Sequence, residues 1–266
     1  MENKHDRLAE RVNSVAILGM QVDVTSLEQA TEFAIHQSLV KRKGYVCAAN
    51  VHMCMEAYYD KEFQQIVNAA CMVVPDGKPL SWWMHAFGVS AAQQVRGPDL
   101  FESVCRRAAE RGISVGLYGG TQEVLDRLQV FFKNQWPTLE VACAISPPFR
   151  ELSPDEQNRY SEVINDSGAR ILFVGLGCPK QEKWMACNEY RISAVMIGVG
   201  AAFDFYAGTK KIAPVWIRKM GMEWLHRLIS EPGRLWVRYL KNNPLFMFHF
   251  MIAWAGERLR RLKRRA

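Results

Sequence analysis

The chain has 266 residues, 49% apolar and 23% charged, enough to bury a substantial core and unlike the composition of a disordered chain. Its formal charge of +7 is concentrated: residues 221–266 hold ten Lys/Arg and three Asp/Glu, leaving 24 of each sign in residues 1–220. A neutral body argues against a general nucleic-acid-binding surface, and the basic excess reads as an address or anchor near the C-terminal end.

The opening MENKHDRLAERVNS is charged and lacks the apolar core of an export signal, so a cytoplasmic protein is expected. Short β-branched runs then alternate with amphipathic stretches of helical length. Strands are expected near Val15–Leu18, Tyr45–Ala49, Cys71–Val74, Ile113–Tyr118, Leu139–Ile145, Ile171–Gly175 and Ala194–Val199. Helices are expected near Ser26–Val40, Lys61–Ala70, Pro79–Phe87, Pro98–Arg111, Thr121–Gln135, Ser153–Ser167 and Pro179–Tyr190. The alternation predicts an α/β fold over residues 1–220, a Rossmann-like and mostly parallel sheet with helices on both faces. Seven cysteines, odd in number and without a CxxC pair, suit reduced thiols and offer no zinc site.

From Gly221 the strand pattern stops. GMEWLHRLISEPGRLWVRYLKNN is an Arg- and Trp-rich helical stretch interrupted at Pro232-Gly233, and it leads into an apolar run at Leu245–Ala255. That run is shorter than the ~20 residues needed to span a bilayer. Six Lys/Arg follow between Arg258 and Arg265, the combination an interfacial helix on an anionic membrane surface requires. Residues 221–266 are thus expected to form a helical appendage ending in an amphipathic membrane-binding tail.

Ligands of open parallel sheets sit beyond the carboxyl ends of the strands, so the loops there carry the candidates. Asp76 in VVPDGKP suits a general base at the mouth of the sheet, although Asp-Gly is also a common turn pair. Asn50 and His52 follow the strand YVCAA; a helix cap and a packed imidazole are the plainer alternatives. Gly119 and Gly120 in GLYGGTQEV form either an anion nest of backbone N–H groups or a simple turn. GLGCPKQEKW meets neither GxxxxGK[ST] nor GxGxxG, yet Pro179 can open a helix with Lys180 and Gln181 in its first turn beside free N–H donors. Asp204, between two aromatics in AAFDFYAG, suits a buried, hydrogen-bonded carboxylate. Arg227, Arg234 and Arg238 are spaced by seven and four and share a face if one helix runs through Pro232; they read as a guanidinium cluster for a diphosphate or as arginines snorkelling at a membrane edge.

Together VVPDGKPL, RGPDL, LYGGTQEVL, VGLGCPKQEKW, IGVGAAFDFYAGTKKIAPVWIRKMGMEWLHRLISEP and RLWVRYL resemble the WecG/TagA/CpsF family, glycosyltransferase family 26, from about Val15 to Phe246. The resemblance implies a Rossmann-like core with a C-terminal appendage that docks on the cytoplasmic face of the bacterial inner membrane. It implies transfer of a hexose from a UDP-sugar to a monosaccharide on undecaprenyl diphosphate, with inversion, no cofactor and no required metal; the chain also lacks a DxD motif. By the same resemblance Asp76 is the base, Gln181 contacts substrate, and Arg227, Arg234 and Arg238 join the active site.

Two departures alter the expected donor contacts. Many members carry Thr two positions before Asn50, where this chain has Ala48, so Asn50 or His52 becomes the natural substitute. A frequent Arg is Gln94 here, with Arg96 two positions on as its candidate replacement. NVH after Ala48, Gly-Lys-Pro after Asp76 and SPPF at 146–149 resemble the exopolysaccharide branch, as in xanthan-type assembly. Alternatives are a UDP-N-acetylmannosamine(uronate) transferase of teichoic acid or enterobacterial common antigen type and, in another class, a Rossmann-type oxidoreductase or nucleotide-binding regulator, against which the missing GxGxxG speaks. A nucleic-acid partner is not expected, and a homo-oligomer is left open.

Overall fold

Period-two alternation in strands that are apolar on both sides sets the architecture. In β3 (Gly44–Ala49), Val46 and Ala48 belong to one hydrophobic cluster and Tyr45, Cys47 and Ala49 to another. The same division holds in β7 (Ile171–Gly175), with Ile171 and Phe173 on one side and Leu172 and Val174 on the other. Such strands need cover on both faces, which is what parallel sheets obtain from their crossover helices.

The computed structural model describes residues 13–263, with side chains as far as Leu259; the charged opening stretch (1–12) and the last residues of the basic tail (264–266) lie outside the described residues. Strands β1 (Ser14–Ile17) and β2 (Met20–Asp23) form an antiparallel pair. The main sheet is parallel throughout, in the order β4-β3-β8-β7-β5-β6, with β4 at Met72–Pro75, β5 at Val115–Gly119, β6 at Val141–Ile145 and β8 at Val195–Gly198. One face packs against α1 (Leu27–Leu39), α5 (Gly97–Arg111), α6 (Gln122–Gln135) and the short α9 (Ala202–Tyr206). The other packs against α2 (Val51–Tyr59), α3 (Lys61–Ala69), α4 (Lys78–Ala86), α7 (Pro154–Asp166) and α8 (Lys180–Asn188). All seven cysteines are free thiols.

The α/β architecture follows the alternation of the sequence, with further elements added, among them β2, α2 and the short α9. β2 is too short to stand out, and α2 occupies residues read as the loop after β3. Its sequence VHMCMEAYY buries Met53, Cys54 and Met55 in succession, so it shows no 3.6-residue stripe.

Beyond the sheet lie α10 (Val215–Lys219), α11 (Glu223–Ser230) and the long α12 (Pro232–Lys263). The break falls at Glu231, and Pro232 opens the next helix, where its missing N–H costs nothing. Helix α12 is held on the body by Leu235, Asn242 and Phe246, all buried, with the Phe246 ring 5.5 Å from Trp83. Trp236, Leu240, Met251 and Ile252 on the same helix are each more than half exposed. Among the described residues no helix is long and apolar enough to cross a membrane.

Candidate active site

The carboxyl ends of the parallel strands open into a cleft of about 1230 Å³, ample for a nucleotide sugar. Asp76 stands at its edge, directly after β4. Its backbone N–H donates to Ala49 O at 2.8 Å, and Gln94 Nε2 donates to its carbonyl at 2.7 Å. Oδ1 accepts from the N–H of Gly97 at 2.8 Å, one of the donors that the start of α5 leaves without an intrahelical partner. Oδ2 meets only the Asn50 amide among the described residues, at 3.5 Å. Burial, and then repulsion from Glu223, lift the carboxyl to about 6, against the pull of Gly97 N–H, Arg96 and Asn50. A carboxylate mostly ionised at neutral pH but poised close to it is what general-base catalysis calls for.

Asn50 does two jobs. Its Oδ1 accepts from Met53 N–H at 3.2 Å as the N-cap of α2, which leaves the amide nitrogen facing Asp76. His52 lines the cleft with its Nδ1 3.0 Å from Asn242 Nδ2 on α12. Burial and the nearby Arg238 lower its pKa to about 4, so the ring is neutral and Nδ1 accepts.

Gln181 also lines the cleft but is almost fully buried, and its amide is occupied within the protein. Oε1 accepts from Gly177 N–H (3.3 Å) and Gly200 N–H (3.2 Å), while Nε2 donates to Glu182 Oε1 (2.6 Å). It clips the loop after β7 to the loop after β8, and its own N–H donates to Gly177 O rather than standing free. Lys180, beside it, is exposed at the rim. Gly120 lines the cleft at φ +73°. Gly119 does not; a Cβ there would sit 2.7 Å from the Gly175 backbone, so this glycine serves the close approach of the ends of β5 and β7.

The opposite wall comes from the C-terminal helices. Arg218 of α10, Arg227 of α11, and Arg234 and Arg238 of α12 all line the cleft. Arg227 does not share a helix with the other two, as a continuous helix would require; the break before Pro232 puts it on α11, and the turn still brings all three to one site. The Nε atoms of Arg218, Arg227 and Arg238 are buried without a hydrogen-bond partner among the described residues. The Arg227 guanidinium lies 5.8 Å from the Phe205 ring centre. Burial, with Arg227 and Arg234 close by, lowers the pKa of Arg238.

Arg234 pairs with Glu231 at 2.6 Å, Glu231 with Lys210 at 3.4 Å, and Lys210 with Asp204 at 3.1 Å. Asp204, half-buried in the cleft wall, also accepts from Thr209 Oγ1 at 3.2 Å. Arg96 is not in the lining: it is buried and paired with Glu223 and Asp99. The sequence reading missed Arg218, Lys210 and Glu223; the density of basic and aromatic residues in KKIAPVWIRKMGMEW was the available signal.

Nine Lys/Arg and four Asp/Glu line the cleft, so it favours an anionic ligand. Among the described residues no group of three His, Cys, Asp or Glu side chains is placed to hold a metal. A poised carboxylate in one cleft with guanidiniums whose Nε donors stay open suits a reaction in which a proton is removed on one side and a phosphate-like leaving group gains charge on the other. The model of the glycosyl transferase WecG/TagA/CpsF family matches residues 15–260, nearly the whole chain. The protein belongs to the WecG/TagA/CpsF family of glycosyl transferases.

Proposed function

We propose that the protein is an inverting, metal-independent hexosyltransferase that moves a hexose from a UDP-sugar onto a monosaccharide carried by undecaprenyl diphosphate, in exopolysaccharide assembly of the xanthan-like kind. The observation that carries this reading is the set of three buried Nε donors, on Arg218, Arg227 and Arg238, with no hydrogen-bond partner among the described residues. Buried donors are rarely left unmade, and a diphosphate supplies the acceptors they lack.

In the proposed reaction the acceptor hydroxyl oxygen attacks the anomeric carbon of the donor and its proton passes to Asp76 Oδ2, the less engaged carboxylate oxygen. The bond from the anomeric carbon to the phosphate oxygen breaks, and its electron pair leaves with UDP. Arg218, Arg227, Arg234 and Arg238 meet the charge that develops there. Lys180 and the Gly120 backbone lie along the same cleft, while Gln181 and Asp204 hold its walls. The exposed stripe of Trp236, Leu240, Met251 and Ile252 supports peripheral attachment to the cytoplasmic face of the membrane, where the lipid-linked acceptor resides.

The test is UDP release from a panel of UDP-sugars offered with glucosyl- and N-acetylglucosaminyl-diphosphate lipid analogues, with and without a chelator. Release with a UDP-hexose and the glucosyl lipid, unchanged by chelation, is expected. Release confined to UDP-N-acetylmannosamine with the N-acetylglucosaminyl lipid would reassign the pathway, and a chelator-sensitive reaction would overturn the metal-independent mechanism.

A further inference from the structure

Arg96 and Glu223 form the best-matched ion pair at the site. Arg96 Nε donates to Glu223 Oε2 at 2.9 Å and Nη2 to Oε1 at 2.7 Å, a bidentate fork, while Nη1 donates to Asp99 Oδ1 at 2.7 Å. Arg96 is 6% exposed, so its charge is costly unless paired. It directly precedes Gly97, whose N–H holds Asp76 Oδ1, so two carboxylates from distant parts of the chain converge on one dipeptide.

We propose that Glu223 is a positioning residue for the base: by occupying the Arg96 guanidinium it docks the arginine-bearing helices on the sheet and keeps Arg96 from pairing with Asp76. One ion pair then assembles both halves of the site. Glu223 is the first residue of α11 and Arg227 lies one turn further on, so the fork also fixes where Arg227 sits along the cleft.

The charges around Asp76 give the pair its second effect. Arg96 faces it from the cap of α5 and lowers its pKa, and Glu223 faces it from α11 and raises it. The Gly97 N–H and the Asn50 amide add neutral donors. Lys78 of α4 and Arg218 of α10 line the same cleft, and Arg218 is 3.9 Å from Asp99. Without Glu223, Arg96 keeps Asp99 and gains an unopposed pull on Asp76, which would stay ionised to lower pH and be a weaker base.

This inference rests on Asp76 being the base, so its test reads the carboxyl directly as well as through turnover. The full chain carrying ¹³C-labelled aspartate is titrated by carboxyl NMR, with Asp76→Asn identifying the signal. In Glu223→Gln the midpoint is expected to fall by about one pH unit, in Arg96→Gln to rise, and in Glu223→Asp to stay close to the parent value. The acid limb of the turnover profile should move with the midpoint, which a merely structural loss would not produce. An unmoved midpoint in folded Glu223→Gln overturns the proposal; if that variant does not fold, an unmoved midpoint in Arg96→Gln does so. If the midpoint moves while the acid limb stays, Asp76 is not the base and the catalytic half of the proposal falls.

Discussion

The two walls of the cleft are built on opposite plans. On the sheet side polar groups are already engaged: Asp76 Oδ1 by Gly97, Asn50 by its own helix, and the Gln181 amide by two loops and Glu182. On the helical side Arg218, Arg227 and Arg238 keep buried Nε donors open among the described residues, and Arg227 and Arg234 repel the Arg238 guanidinium. The sheet wall can therefore hold its geometry without a ligand, whereas the helical wall is completed by whatever anion enters. A catalytic carboxylate needs the first arrangement and a leaving-group site tolerates the second.

The sharpest way to test that contrast is Asp76→Asn. Turnover should fall by about 10²–10⁴-fold. Because burial holds this carboxyl at about 6 against an ordinary 3.8, its ionised form costs the fold stability above that window, and the variant should melt no lower than the parent. Near-normal turnover would remove Asp76 as the base. Arg227→Ala and Arg238→Ala come next, each expected to cost about 10²–10³-fold in turnover, with lysine only partly replacing the forked donor. Calorimetry should show UDP raising the parent's Tm and doing so less in both variants; an equal rise would mean the anion sits elsewhere. A milder loss is expected from joint replacement of Trp236, Leu240 and Met251 by Ser. Their exposure predicts an intact fold and about tenfold or more weaker flotation with anionic vesicles, and unchanged flotation would sink the docking reading.

What the sequence made legible divides along the same line. The sheet wall was readable because local rules suffice: apolar runs placed β7 at Ile171–Gly175, and a strand ending in Asp-Gly placed Asp76 at the mouth. The identities of Arg227, Arg234 and Arg238 were readable too, but not how they meet, since that depends on a helix break whose angle no periodicity encodes. Arg96 stood out as a charge next to a family departure. Its partner lies 127 residues away, and nothing local reveals that pairing. Gln181 looked free for the same reason: its acceptor is claimed by Gly200, in a loop that arrives only after β8 is inserted between β3 and β7.

The smallest expected effect is read through pH, where His52 of the sheet wall meets the helical wall at Asn242. His52 is kept neutral chiefly by burial, with Arg238 adding to it, and its pKa falls from 6.5 to about 4. A depressed folded value means stability that is present above pH 6.5 and lost as pH falls towards 4, because the unfolded chain takes up the proton first. Asp76 runs the other way: its value is raised from 3.8 to about 6, so the folded state gains stability as pH falls through that window. Each shift corresponds to roughly 3 kcal/mol, so between about pH 6.5 and 4 the two slopes largely cancel in the parent. Replacing one partner should uncover the other. Relative to the parent, His52→Gln should gain stability on going from about pH 7 to 4.5, and Asp76→Asn should lose it. Urea midpoints at the two pH values read both differences. If His52→Gln and the parent change in parallel, the fold does not hold this imidazole neutral, and the link from His52 through Asn242 to α12 is weaker than its 3.0 Å contact implies.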